Sequence, residues 1–171
     1  MGTAALSSIS EIEMLRHQAR MAHHVVKLNA EGLSHADSLI QPQPGGNCLN
    51  WVIGHLLAIY HHVLPLLEQA PVMPKHVLKR YDRGSSPIQN ATEAIEFSEL
   101  LSAWDECSRR VDLGLAGLNV EVLAAPAPAS PSNDANETVG SLLSTISWHQ
   151  AYHAGQTGIL RRTAGKDGAI R

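Results

Sequence analysis

A chain of 171 residues, 44% hydrophobic and 17% charged, has the length and composition of one globular domain over 1–171 and is not a disordered chain. Its net charge of −3, with 13 Lys and Arg, excludes a nucleic-acid binder that works by bulk electrostatics, because phosphate contact needs a dense cationic face. Two cysteines, Cys48 and Cys107, with no CxxC, exclude a disulfide framework and a thiolate zinc cluster, whereas ten histidines stand against three Trp, three Tyr and one Phe.

The opening residues MGTAALSSISEIE have neither a basic n-region nor a long apolar run, so they do not read as a signal peptide, and position 6 is not the Ser or Thr of a myristoylation signal. No apolar stretch is long enough to span a bilayer. The expectation is a soluble, cytoplasmic protein without a membrane partner. The first predicted helix covers 10–31. Ser10 serves as N-cap with Glu13 as the third member of a capping box, and Ile12, Leu15, Ala19, Ala22 and Val26 form one apolar face. Gly32 stops it, and Ser34 with Asp37 forms a second capping box that opens a short turn. Gln41 to Gly46 is a loop by composition, and Asn47 is the expected cap of a second helix over 48–68. Its apolar stripe is Val52, Leu56, Ile59, Val63 and Leu66, and Pro65 predicts a kink or a stop.

Residues 70–92 carry Pro71, Pro74, Gly84 and Pro87 with little periodicity, which makes this long connection a candidate cover over a site. A third helix over 98–118 turns Leu101, Trp104, Cys107 or Ser108, Val111 and Leu115 inward. The Ala/Pro/Ser-rich stretch 124–136 reads as irregular. Thr138 caps a fourth helix over 139–163, along which Leu142, Leu143, Ile146, His149, His153 and Leu160 keep helical spacing. No period-2 segment or internal repeat interrupts this pattern. The fold class is all-α: four main helices with two long crossover connections, a bundle and not a set of tight hairpins.

The histidines carry the chemistry. His149 and His153 lie one turn apart on one helix face, a spacing that suits two ligands of one ion. Spacing alone is a weak signal in so histidine-rich a chain, but this pair continues the inward stripe of Leu142 and Ile146. Burying two imidazoles there is costly unless their nitrogens are satisfied, by a metal or by hydrogen bonds within the core, and both readings stay open. A third ligand must come from another helix, and His55 lies between Val52 and Ile59 on an apolar stripe, with Gly54 allowing close approach. His62, two turns further on, and His23, between Ala19 and Val26, are candidates to line the cavity. Gln156 shares the face of His149 and His153 and is placed to orient a ligand. Trp51 is expected to wall the pocket or the core, Trp148 and Tyr152 to pack, and His17, His35 and His76 to lie on the surface. No carboxylate has a spacing that marks it as a general base; Asp105 and Glu106 qualify by depth alone.

Asn50-Trp-Val-Ile-Gly-His-Leu56 resembles the second-helix motif of the DinB/YfiT-like superfamily, and Trp148-His-Gln-Ala-Tyr-His-Ala-Gly-Gln156, followed by Leu160-Arg-Arg162 and Gly165, resembles its last-helix motif. The resemblance implies an up-down-down-up four-helix bundle, a homodimer, and one divalent metal, zinc or nickel, on His55, His149 and His153. It further implies thiol-dependent transferase or metal-dependent hydrolase chemistry on a small molecule, with a low-molecular-weight thiol as possible co-substrate. Three protein ligands leave an open coordination position, the mark of a catalytic site. The alternatives are a non-catalytic metal- or ligand-binding bundle and a structural bundle with buried histidines. Val25, Leu28, Ile53 and Leu57 lie off the inner stripes and are expected to leave an apolar patch for self-association, unless 70–92 covers them within the chain.

Overall fold

The computed structural model describes residues 9–131 and 133–170. Residues 1–8, on which the reading of an absent leader mostly rests, lie outside the described residues. Along the chain run α1 (Glu11–Ala30), α2 (His35–Ser38), α3 (Leu49–Val63), α4 (Lys75–Leu78), α5 (Phe97–Ala116), α6 (Val120–Ala124) and α7 (Val139–Thr163), with three short 3-10 turns and no strand among the described residues. The fold is the all-α bundle that the periodicity predicts, with α1, α3, α5 and α7 as its long members.

The helix starts follow from single side chains. The Ser10 hydroxyl accepts from the Glu13 amide at 3.2 Å, but the Glu13 carboxylate turns to Arg16 at 2.6 Å, so only half of the expected capping box forms. Ser34 with Asp37 and Thr138 with Ser141 make both halves of theirs. Asn47 does not cap α3: Cys48 occupies that position without a side-chain bond, and the Asn47 Oδ1 is buried unpaired. Pro65 acts as a stop. α3 ends at Val63, and Leu64–Leu67 continues as a 3-10 turn with the proline at its start, where a missing amide costs least. The second helix is thus shorter than 48–68. On α5 the buried face carries Phe97, Leu100, Trp104, Cys107, Val111 and Leu115, so Leu100 replaces Leu101 and Cys107 takes precedence over Ser108. α6 was not expected; the Asn119 side chain caps it by accepting from the Val122 amide at 2.9 Å.

Side-chain bonds between helices fix their directions. Ala19 accepts from Gln150 and Asn29 donates to Thr157, so α1 and α7 run parallel. Arg16 binds Asp112 and Lys27 binds Asp105, so α1 and α5 run antiparallel. Tyr60 donates to Gln150 while His55 lies against His153, so α3 and α7 are antiparallel. The order is up-down-down-up, and each crossover is long because it joins a helix to one that is not its antiparallel neighbour.

α3 is the central element, with all but three of its residues buried. Ile53 and Leu57 are fully buried, which removes them from the expected self-association patch, and Val25 and Leu28 on α1 are half-buried. The reason lies in the 70–92 connection: Met73, Leu78, Tyr81 and Ile88 fold onto the core. Burying a large aliphatic side chain contributes about 1.5–3 kcal/mol, enough for a connection to settle there instead of leaving the face open.

Candidate metal centre

Where α3 and α7 pass each other, His55 meets His149 and His153. Ring centroids are 5.3 Å apart for His55 and His149, 5.2 Å for His55 and His153, and 4.5 Å for His149 and His153. One nitrogen from each ring lies within 4.8 Å of the other two. His55 and His153 are buried and His149 is half-buried, so the cluster sits at the edge of the core.

Each ring is turned by what holds its far nitrogen. The His55 Nδ1 donates to the Tyr81 carbonyl at 2.9 Å, and the His153 Nδ1 donates to the Gln156 Oε1 at 2.9 Å. Both acceptors lack a proton, so both histidines carry theirs on Nδ1 and leave Nε2 bare. The Nε2 atoms of His149 and His153 are 3.1 Å apart. Ligand bonds of about 2.0–2.1 Å around a tetrahedral ion put donor atoms about 3.3 Å apart, so this separation fits two ligands of one ion. The His149 Nδ1 is buried with no partner.

Burial pushes all three rings towards the neutral form. It is the largest cause at each, opposed at His55 by the Tyr81 carbonyl and the Asp82 charge and at His153 by Gln156. His149 is pushed down to about 4, by burial first and then by His153, His55 and Arg83. A ligand histidine must be neutral, and these are neutral at pH 7 without a metal to hold them so. Three neutral imidazoles, two of them oriented by hydrogen bonds to their far nitrogens, are a donor set that fits a divalent ion.

The wall beside His55 is built by the 70–92 connection, the segment expected to act as a cover. Trp51 stacks on His55 with centroids 4.7 Å apart and planes at 12°, and its Nε1 donates to Ser85 Oγ at 2.9 Å. Tyr81 lies flat on α3 at Gly54, where a Cβ would come within 2.1 Å of its ring. Gly54 therefore admits Tyr81 and not a neighbouring helix. The Tyr81 hydroxyl donates to Asn50 and accepts from the Ile95 amide, and Asn50 donates to the Ile95 carbonyl. Tyr81 and Ser85 were not among the candidate residues. Tyr81 works through its carbonyl, which every residue has, and the only signal was an aromatic within an aperiodic, proline-rich connection.

Other candidates lie elsewhere. His23 is not in the cluster: it sits between α1 and α5, 3.0 Å from Asp105 and against Trp104. His62 is exposed near the C-terminal end of α3 and lies outside the cluster. His35 is half-buried and accepts from the Phe97 amide. Trp148 and Tyr152 stack on each other at 5.9 Å but are 67% and 61% exposed, so they are not packed into the bundle as expected. Asp105 is bound to His23 and Lys27, and Glu106 to Arg109 and Arg110, away from the cluster.

A helical bundle whose second and last long helices bring three histidines together fits a metal-binding helical protein. The chain belongs to the DinB superfamily, whose sequence model matches residues 13–157. A crystal structure of a conserved protein from Enterococcus faecalis has the same fold, with a TM-score of 0.71 at 16% identity, covering 93% of this chain and 100% of that one. No curated protein matches. No helix among the described residues is long and apolar enough to cross a membrane.

Proposed function

We propose that this protein is a metal-dependent enzyme that acts on a small molecule, a thiol-dependent transferase or a hydrolase, with His55, His149 and His153 holding one zinc or nickel ion. The observation that carries this reading is the convergence of three neutral imidazole nitrogens from two helices, with no fourth protein ligand in the group among the described residues. His55, His149 and His153 would hold the divalent ion, which would supply Lewis acidity and lower the pKa of water or a thiol towards neutrality.

The chain's own residues supply the rest. Gln156 and the Tyr81 carbonyl fix the tautomers of His153 and His55, so the lone pairs point inward. Trp51 and Tyr81 keep water from the His55 side. The Asp82 carboxylate, next to Tyr81 in the chain, favours the charged form of His55 against the effect of burial. A homodimer through the exposed apolar face of α1 and α7 completes the proposal.

Protein purified without a histidine tag is expected to hold one metal per chain by elemental analysis. Turnover is then expected on one of two panels, thiols with electrophiles or simple esters and amides. One metal per chain with no turnover on either panel favours the non-catalytic binding bundle; absence of metal overturns the reading.

A further inference from the structure

One layer of the bundle core draws a polar group from each of the four long helices. Gln150 on α7 donates through Nε2 to the Ala19 carbonyl of α1 at 3.4 Å, and its Oε1 accepts from the Tyr60 hydroxyl of α3 at 2.5 Å. Trp104 is the α5 member. Its ring packs against Tyr60 with centroids 6.0 Å apart, and the residue is 1% exposed. Its Nε1 is buried and has no partner in the protein. Three helices are thus joined by hydrogen bonds at this level, and the fourth brings a donor that binds nothing.

Such a donor is costly to leave alone. An indole N–H can only donate, and unfolding would return it to water. Three other buried side-chain atoms are unpaired among the described residues, Gln41 Oε1, Asn47 Oδ1 and His149 Nδ1, but all three belong to half-buried residues. The other two tryptophans are provided for: Trp51 donates to Ser85, and Trp148 is exposed to solvent. Beside Trp104 the packing leaves a pocket with about 10 Å³ of room for the centre of a water molecule, lined among others by Tyr60, Cys107, Ser108 and Gln150. That is about the least that holds one water, and too little for a larger ligand. Tyr60 Oη has given its proton to Gln150 and keeps lone pairs for another, and the Ser108 hydroxyl accepts as well as donates. A water there has one donor to accept from and two oxygens to donate to, which is the company buried waters keep.

We propose that the pocket at Trp104 is a water-binding site, in which one ordered water accepts from Trp104 Nε1 and donates to Tyr60 Oη and Ser108 Oγ. The layer then becomes one hydrogen-bonded unit across all four long helices. This site stands independently of the metal reading. Its bearing on the cluster runs through Gln150, which directly follows His149, so the layer helps to hold α7 at the height on α3 where His149 and His153 reach His55.

The test is read by NMR on the full wild-type chain labelled with nitrogen-15. The chain has three indole N–H signals, and that of Trp104 is the one lost in Trp104→Phe. Should that variant fail to fold, Trp51→Phe and Trp148→Phe assign the signal by elimination. Expected at the Trp104 signal is a cross-peak at the water frequency with NOE and ROE of opposite sign, the mark of a held water. A nearby hydroxyl proton in exchange with water gives the same peak, so the measurement is repeated in Tyr60→Phe and Ser108→Ala. Each variant removes one hydroxyl and leaves the water two partners, so the peak is expected to stay in both. No peak in wild type, or loss of the peak in either hydroxyl variant, overturns the site. A crystal structure gives a second reading that needs no variant. One water within hydrogen-bond distance of Trp104 Nε1 is expected there, and an Nε1 bonded to a protein acceptor, or a pocket without density, overturns the inference.

Discussion

His149 combines a buried, unpaired Nδ1 with an Nε2 aimed at a second imidazole. Such a ring is costly to bury unless its other nitrogen gains a strong partner. His55→Ala, His149→Ala and His153→Ala are each expected to abolish stoichiometric metal, measured by elemental analysis; full occupancy in His55→Ala would sink the three-histidine site. Gln156→Leu leaves the ligands but frees the His153 ring, and metal affinity measured by competition with a chelator should fall about 10- to 100-fold. The same residues set a pH dependence. An unfolded histidine titrates near pH 6.5, whereas burial holds these lower, His149 at about 4. Between those values the native state binds fewer protons than the unfolded one. Metal-free protein is therefore expected to keep its stability above about pH 6.5 and to lose it as the pH falls towards 4. His23, lowered chiefly by burial, adds to the slope. Thermal melts across this range check the sign, and His149→Gln should flatten the drop.

At the scale of elements, the approach of Tyr81 to α3 controls both packing and site. Gly54→Ala would put a methyl group into the Tyr81 ring. Overpacking of this kind costs about 1–3 kcal/mol. Urea unfolding should report that loss, and metal affinity should fall with it because the Tyr81 carbonyl no longer orients His55. Unchanged affinity in a destabilised Gly54→Ala would separate the packing from the site. What could be read in the sequence, and what could not, divides along the same line. Helix starts at Ser10, Ser34 and Thr138 were legible because a cap lies within three residues of the amide it serves. The His149–His153 pair and its His55 partner were legible because helical period puts them on inward stripes. The 70–92 connection was legible as a candidate cover, but not which of its residues would pack, since nothing local tells α3 that Tyr81 and Leu78 will return to the core. Nor was the failure of Asn47 as a cap, or the shift from Leu101 to Leu100, which a single-residue offset in helix phase decides.

For the whole molecule, most of the large apolar side chains that the long helices leave exposed lie on α1 and α7, with Leu113 on α5 and none on α3. Met14, Met21, Trp148, Tyr152 and Ile159 are exposed, and a groove of about 480 Å³ runs between the two helices past Met21, Val25 and Trp148. Two-fold pairing is the commonest way to cover such a face. Sedimentation equilibrium at micromolar concentration is expected to give twice the 18.4 kDa chain mass, and Trp148→Ser with Met21→Ser to return it to the monomer. A wild-type mass of one chain rules the dimer out. The up-down-down-up order has a last consequence, in time. The helix that closes the bundle against both α1 and α3 is also the last of the long helices to be made. His149 leaves the ribosome 94 residues after His55, a wait of about 5–20 s at ordinary rates of synthesis. Until then α3, the most apolar of the long helices, has no α7 to lie against, and no metal can be captured by all three rings. A nascent chain stalled in the 124–136 stretch would present only His55 of the three, so the cluster assembles only once α7 has been made.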